Sequence, residues 1–272
     1  MRGVDVSHNN TNVDFSTLRK NGIDFAMIRA GRGTAADNKF KTHMRGASDA
    51  GMLIGIYWFA YPFTVSDAVK EADKCAETIA GYKIDLPVFY DFEYNTEEYA
   101  KKNGVIYDKK RRTDIVCAFC DRTAAKGYKP GVYANIDYLR YRFDAARLKK
   151  YPLWFAYYVN RDGTASFDKT APNSIPSAYA NAMIWQFGMS KMPGGGAGNI
   201  DINYGYNMPA ANKAPEDNAA KYTVGQKYTI KRGDIYTNGN PVPSRLIGKV
   251  YTIMQTKPGA ILLREIMSWV KV

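Results

Sequence analysis

Asp91-Phe92-Glu93 closes the apolar run Pro87-Val88-Phe89-Tyr90. Successive side chains of a strand alternate sides, so Asp91 and Glu93 point the same way and Phe92 points the other. Two carboxyls held side by side raise each other's pKa. A carboxyl kept protonated near neutral pH is what a general acid requires, so the pair is a candidate acid and partner for cleaving a glycosidic bond. A solvated or salt-bridged pair is the plain alternative, because D-x-E alone is a weak signal. Two further acids sit in apolar frames: Asp5 between Val4 and Val6, and Asp201 between Ile200 and Ile202.

The elements that would position these acids follow from the sequence pattern. Short β-branched or aromatic runs at 3–6, 25–30, 53–59, 87–92, 131–134, 153–156, 183–187 and 200–203 make eight strand candidates. Helix-like stretches lie between them at 15–20, 40–50, 66–80 and 113–126. Ser66 stands where the third of these would be capped, and Gly51, Gly81 and Gly127 follow three of them as terminators. Alternating strands and helices imply parallel pairing with right-handed crossovers, and eight strands imply closure. About 205 residues is short for a regular barrel, for which about 250 is typical. The stretch 161–182 also reads as irregular. The expected fold is therefore an irregular TIM-like (β/α) barrel over 1–207. In a closed barrel the first and last strands are neighbours, which would bring Asp5 and Asp201 into one mouth with Asp91 and Glu93.

The pattern changes after residue 207. Residues 208–221 are polar, carry two prolines and read as a linker. From 222 to 272 the sequence alternates as short strands at 228–231, 249–255, 260–263 and 268–272, with Gly239-Asn240 and Pro258-Gly259 as turns. A small all-β domain is expected there. From Lys213 onward ten Lys and Arg stand against Glu216, Asp217, Asp234 and Glu265, so this tail holds +6 of the chain's net +12.

That net charge, from 38 Lys and Arg against 26 Asp and Glu in 272 residues, predicts attraction to an anionic partner: nucleic acid, an acidic lipid surface or a wall polymer. With 46% hydrophobic and 24% charged residues the chain is globular rather than disordered. No apolar run approaches the roughly 18 residues of a membrane helix. The amino terminus has no apolar segment of the signal-peptide type, so synthesis in a cytoplasm is expected. Cys75, Cys117 and Cys120 are too few for a disulfide framework and read as small core residues. Two histidines, His8 and His43, leave a zinc site little to draw on. A Mg²⁺ or Ca²⁺ site on the carboxylates stays open, although no cofactor is expected.

Aromatic and amide side chains gather at the same strand ends: Tyr61, Tyr133 with Asn135, Trp154 with Tyr157, and Gln186. Rings suit the apolar faces of sugars, and amides suit their hydroxyl and acetamido groups. Several of these rings would serve the core instead. Taken in order, Gly3-Val-Asp-Val-Ser7, Phe25-Ala-Met-Ile-Arg-Ala-Gly31, Gly55-Ile-Tyr-Trp-Phe-Ala-Tyr61, Pro87-Val-Phe-Tyr-Asp-Phe-Glu93, Gly131-Val-Tyr-Ala-Asn135, Leu153-Trp-Phe-Ala156 and Ile184-Trp-Gln-Phe187 with Asp201-Ile-Asn203 resemble the glycoside hydrolase family 25 lysozymes.

The resemblance implies an N-acetylmuramidase acting on peptidoglycan, with Glu93 as general acid and then base. Asp91 would orient the substrate's 2-acetamido group in a retaining, neighbouring-group mechanism, with direct attack by Asp91 as the rival. Asp5 and Asp201 would be supporting carboxylates. The tail resembles bacterial SH3-like wall-binding modules, and the whole resembles a phage endolysin whose exit depends on a holin. Two other readings compete: a catalytically inactive peptidoglycan-binding protein, and a nucleic-acid binder driven by charge alone, for which no binding motif is present.

Overall fold

Inward and outward side chains alternate so regularly along the strands that one parity builds the inside of a closed sheet and the other faces the helices. In the computed structural model, which describes residues 1–210, 221–257 and 259–272, the chain divides into two compact units, Met1–Asn212 and Lys213–Val272. Most of the expected linker, 211–220, and Pro258 of the expected turn lie outside the described residues.

The strands of the first unit are β1 (Arg2–Val6), β2 (Phe25–Arg32), β3 (Ala35–Ala36), β4 (Leu53–Phe59), β5 (Val88–Asp91), β6 (Pro130–Asn135), β7 (Leu153–Ala156), β8 (Ile184–Ser190) and β9 (Ile200–Gly205). Pairing runs β1-β9-β8-β7-β6-β5-β4-β2, and β1 also pairs with β2, which closes a barrel of eight strands. Two-residue β3 lies antiparallel on β2 outside that ring.

Strand pairing from β1 through β2 and β4 to β8 is parallel, as the alternation of strands and helices predicts. The last strand departs from that expectation: β9 is antiparallel to both β8 and β1. Residues 191–199 between β8 and β9 are too few for a helical crossover, which takes a dozen or more, so the chain turns straight back. Thr164 bridges to Met189, and 161–182 contributes only the short 3₁₀ turns Pro172–Ser174 and Ser177–Tyr179.

The helices are α1 (Phe15–Lys20), α2 (Phe40–Asp49), α3 (Val65–Ile79), α4 (Tyr94–Lys102), α5 (Lys109–Ala125) and α6 (Ala145–Leu148). Thr64, rather than Ser66, caps α3: its hydroxyl accepts from the Asp67 backbone N–H while the Asp67 carboxylate accepts from that of Thr64. Gly51 and Gly127 follow α2 and α5 with φ of 67° and 88°, a left-handed conformation in which glycine has no side-chain penalty. Outward-facing Val4, Ile28, Ile56, Tyr90, Val132 and Phe155 join the inner faces of these helices in one large core. All three cysteines are in that layer, buried and unpaired with one another.

Inside the barrel a second core is built by Phe25, Met27, Leu53, Leu86, Phe89, Trp154 and Ile184. Its large rings fit because glycine occupies facing positions. A Cβ built on Gly131 would lie 2.5 Å from the Phe89 ring, and one on Gly3 would enter the Phe25 ring. The lower barrel is thus packed solid, and the open end lies above it.

In the second unit β10 (Lys227–Thr229), β11 (Val250–Lys257), β12 (Ala260–Leu263) and β13 (Ser268–Lys271) form an antiparallel sheet in sequence order. Tyr228, Ile230, Val242, Tyr251, Ile253, Ile261, Leu263 and Val270 pack beneath it. Trp269 is half-buried, with the Lys257 ammonium 4.3 Å above its ring. Among the described residues no helix is long and apolar enough to cross a membrane.

Candidate active site

The inward parity that packs the lower barrel with rings turns polar at the upper end. Asp5 on β1, Arg29 on β2, Tyr57 on β4, Asp91 on β5, Tyr133 on β6 and Gln186 on β8 all continue inward-facing rows. Asp201 is the second residue of β9, and because that strand runs backward its start lies level with the ends of the others. The pairing of Asp201 with Asp5 on one side and with Met189 on the other fixes that level. These residues line a cleft of about 470 Å³, together with Glu93, Tyr61, Trp154, Tyr158 and the loop side chains Ser7, His8 and Asn9.

Glu93 follows β5 by two residues and is the N-cap of α4. Its backbone N–H donates to Thr96 Oγ1 at 3.2 Å, which ties the strand end to the helix start. Asp91 is 7% exposed, whereas Glu93 is half-buried and reachable from the cleft. Among the described residues no donor reaches the buried Oδ1 of Asp91.

Asp5 is held by amides. Gln186 Nε2 donates to Asp5 Oδ2 at 3.0 Å, and Asn203 Nδ2 donates to the same oxygen at 2.8 Å. The two amides are oriented in turn by ring donors: Tyr133 Oη donates to Gln186 Oε1 at 2.9 Å and Trp154 Nε1 to Asn203 Oδ1 at 2.8 Å. Asp201 Oδ1 accepts from Tyr158 Oη at 3.2 Å. Buried amides that have both ends bonded can take up one orientation only, so this network fixes where Asp5 sits.

All four acids are shifted upward. Burial is the largest cause for Asp91, followed by the charges of Glu93 and Asp5, while Arg29 pulls the other way. Burial and then Asp201 raise Asp5, against its amide hydrogen bonds. Glu93 is raised by burial and then by Asp201, and Asp201 by burial, eased by Tyr158. Such a cluster retains protons above the ordinary carboxylate range, the condition for a general acid near neutral pH. Arg29 is buried and paired with Asp37, Nη2 to Oδ2 at 2.8 Å, and also contacts His8 Nδ1.

Of the aromatic and amide residues expected at the mouth, Tyr61, Tyr133, Trp154 and Gln186 line the cleft. Trp154 is 1% exposed and forms its floor, in edge contact with Tyr57, Tyr133 and Phe89. Asn135 and Tyr157 lie outside the lining. Asn135 Oδ1 accepts from the Tyr138 backbone N–H at 3.0 Å, at the start of the π-helical turn Tyr138–Arg142. Tyr157 shares the outward parity of Phe155, its ring parallel to that ring at 6.0 Å. Tyr158 faces in instead, four residues from Trp154 and on the same side. Counting parity from Trp154 selects Tyr158, and the same count along β2 and β4 selects Arg29 and Tyr57. Among the described residues no group of three or more His, Cys, Asp or Glu is arranged to hold a metal ion.

Comparison with known proteins places the barrel in a family. The profile of "Glycosyl hydrolases family 25" matches residues 4–195, which span the barrel from β1 to the β8–β9 turn. Lysozyme M1 of Streptomyces globisporus is 28% identical over 211 residues, covering 75% of this chain and 67% of that protein. The autolytic lysozyme of Clostridium acetobutylicum is 27% identical over 201 residues, covering 72% of this chain and 58% of that one. The crystal structure of the CTP1L endolysin matches with a TM-score of 0.58 at 25% identity, over 76% of this chain and 66% of that one. The chain thus spans about two thirds or less of the length of these relatives. With the four acids set in a barrel whose sequence the family profile matches over residues 4–195, the chain belongs to glycosyl hydrolases family 25 and is a glycoside hydrolase.

Proposed function

We propose that the protein is a lysozyme of the N-acetylmuramidase kind, which hydrolyses the β-1,4 bond between N-acetylmuramic acid and N-acetylglucosamine in bacterial peptidoglycan. One observation carries this reading: Asp5, Asp91, Glu93 and Asp201 meet in a single cleft, where burial and the Asp201 charge hold Glu93 above the usual carboxylate range. The lysozyme relatives support it.

In this mechanism Glu93 gives its proton to the glycosidic oxygen as the bond from that oxygen to the anomeric carbon breaks. Asp91 accepts the N–H of the 2-acetamido group, whose carbonyl oxygen bonds to the anomeric carbon from the opposite face. The cationic ring so formed lies against the Asp91 carboxylate. Glu93, now a carboxylate, takes a proton from water, the water oxygen bonds to the anomeric carbon, and the acetamido oxygen leaves. Two inversions give retention. Asp201 helps keep Glu93 protonated, and Arg29 favours the ionised Asp91 that the acetamido group needs.

The second unit is proposed as an SH3-like wall-binding domain over 222–272, reached by a linker over 208–221. Its excess of positive charge suits an anionic wall polymer or peptidoglycan. Such a modular enzyme fits a phage endolysin, made in the host cytoplasm and released to the wall through a holin. It needs neither membrane insertion nor a nucleic-acid partner.

Glu93→Gln tests the reading. The variant keeps the side chain's shape without its proton, so release of reducing ends from purified peptidoglycan falls by about 10²–10⁴-fold while wall binding persists. Lysis by the variant at the wild-type rate overturns the role of Glu93. Zero turnover by the wild type with tight wall binding makes the protein a binding module instead.

A further inference from the structure

A second hollow of about 530 Å³ adjoins the catalytic cleft, and the two share Arg32 and Tyr61. Its other lining includes Thr34, Phe63, Asp67, Lys70 and Tyr99. Rings run from one hollow into the other without a break. Phe59 of the cleft lies 5.2 Å from Tyr61, Tyr61 lies 4.7 Å from Tyr99, and Tyr99 stacks on Phe63 at 5.5 Å with 9° between their planes. Tyr99 is 43% exposed, so its ring is open to a ligand.

The start of this ladder is anchored from below. Glu71 is 2% exposed on α3, and its carboxyl accepts from the Tyr61 backbone N–H at 3.1 Å and from Tyr90 Oη at 2.9 Å. A buried acid tied to the backbone of a cleft residue and to a barrel strand holds Tyr61 in place. The far end is carried by α4, pinned where Glu97 meets both Arg112 and Tyr138 Oη.

We propose that the cleft continues past Tyr61 and that the Phe59–Tyr61–Tyr99–Phe63 ladder binds further pyranose rings of the same glycan strand. The inference rests on the glycosidase reading above. Rings offer flat apolar surface to the faces of sugars, and Arg32, Thr34, Asp67 and Lys70 at the rim offer partners to their hydroxyls. Occupancy would make the enzyme favour long strands over short ones, since distal contacts stabilise the bound strand only when it reaches them.

The test is the ratio of kcat/KM on long to that on short β-1,4-linked, peptide-free glycan strands. Tyr99→Ala is expected to lower that ratio by about five- to tenfold, and Phe63→Leu, which keeps bulk but not the ring, to lower it in the same sense. Tyr99→Phe is expected to keep the wild-type ratio, and thermal unfolding checks that each variant is folded. An unchanged ratio in both Tyr99→Ala and Phe63→Leu overturns the inference. So does a loss that appears only when stem peptides are attached, which would make the hollow a peptide site. A wild type that cleaves neither substrate overturns the glycosidase reading and this inference with it.

Discussion

Glu93 and Asp91 are both raised by burial, but their next largest causes differ, and that difference is testable. Asp201 is the neighbour that raises Glu93. Replacing it by Asn removes a negative charge and lets Glu93 lose its proton at lower pH. Activity that needs protonated Glu93 falls as pH rises through its pKa, so the alkaline limb of kcat/KM moves to lower pH in Asp201→Asn. A pH–rate profile with an unmoved limb contradicts the assignment. Asp91 supports a prediction on stability. Its folded pKa lies above the unfolded value, so between the two the native state binds more protons and stability falls as pH rises through that window. Asp91→Asn should therefore be more stable than wild type near neutral pH, and the gain should vanish below the ordinary carboxylate range. Denaturant unfolding at the two pH values measures it, and a variant less stable at neutral pH contradicts it. Of the cleft lining, the acids were legible from their apolar frames. Arg29 and Tyr158 were not, although strand parity would have found both.

At the scale of elements, the barrel depends on small residues facing large ones. Phe89 is fully buried and has no room to give way to a Cβ on Gly131. Gly131→Ala should therefore cost about 1–3 kcal/mol through overpacking, read as a lower Tm, and an unchanged Tm would show that the interior yields. The sequence pattern yields the strands because a parallel strand covered on both faces reads as a short, nearly continuous apolar run, as at 25–30 and 53–59. It says little about α4, in which only Thr96 and Ala100 are buried, or about the first turn of α5, Lys109-Lys-Arg-Arg112, which carries no apolar residue. Both are fixed by tertiary contacts, such as the bidentate pair of Arg112 with Glu97, which no local pattern announces. The reversed direction of β9 was equally hidden, because a strand's periodicity is the same read either way. Its consequence is functional: a parallel last strand would have carried Asp201 to the closed end of the barrel.

For the whole molecule, charge and chemistry lie in different places. Half of the +12 belongs to residues 213–272, while the cleft is acidic. Charge-driven attachment to a wall should weaken as salt shortens the screening length from roughly 10 Å at 0.1 M to roughly 3 Å at 1 M. Lysis of intact walls is therefore expected to fall more steeply across that range than cleavage of soluble uncharged glycan. Parallel loss on both substrates would show that the tail's charge does not hold the enzyme to the wall. The proposed chemistry is cleavage driven by Glu93 at the muramic acid side of the bond. The most direct measurement is to digest purified peptidoglycan with wild type and Glu93→Gln, reduce the new ends, and identify the terminal sugar by mass spectrometry. Cleavage driven by Glu93 gives reduced N-acetylmuramic acid ends from the wild type and about 10²–10⁴-fold fewer from the variant. Reduced N-acetylglucosamine ends, or equal release by both proteins, would contradict it.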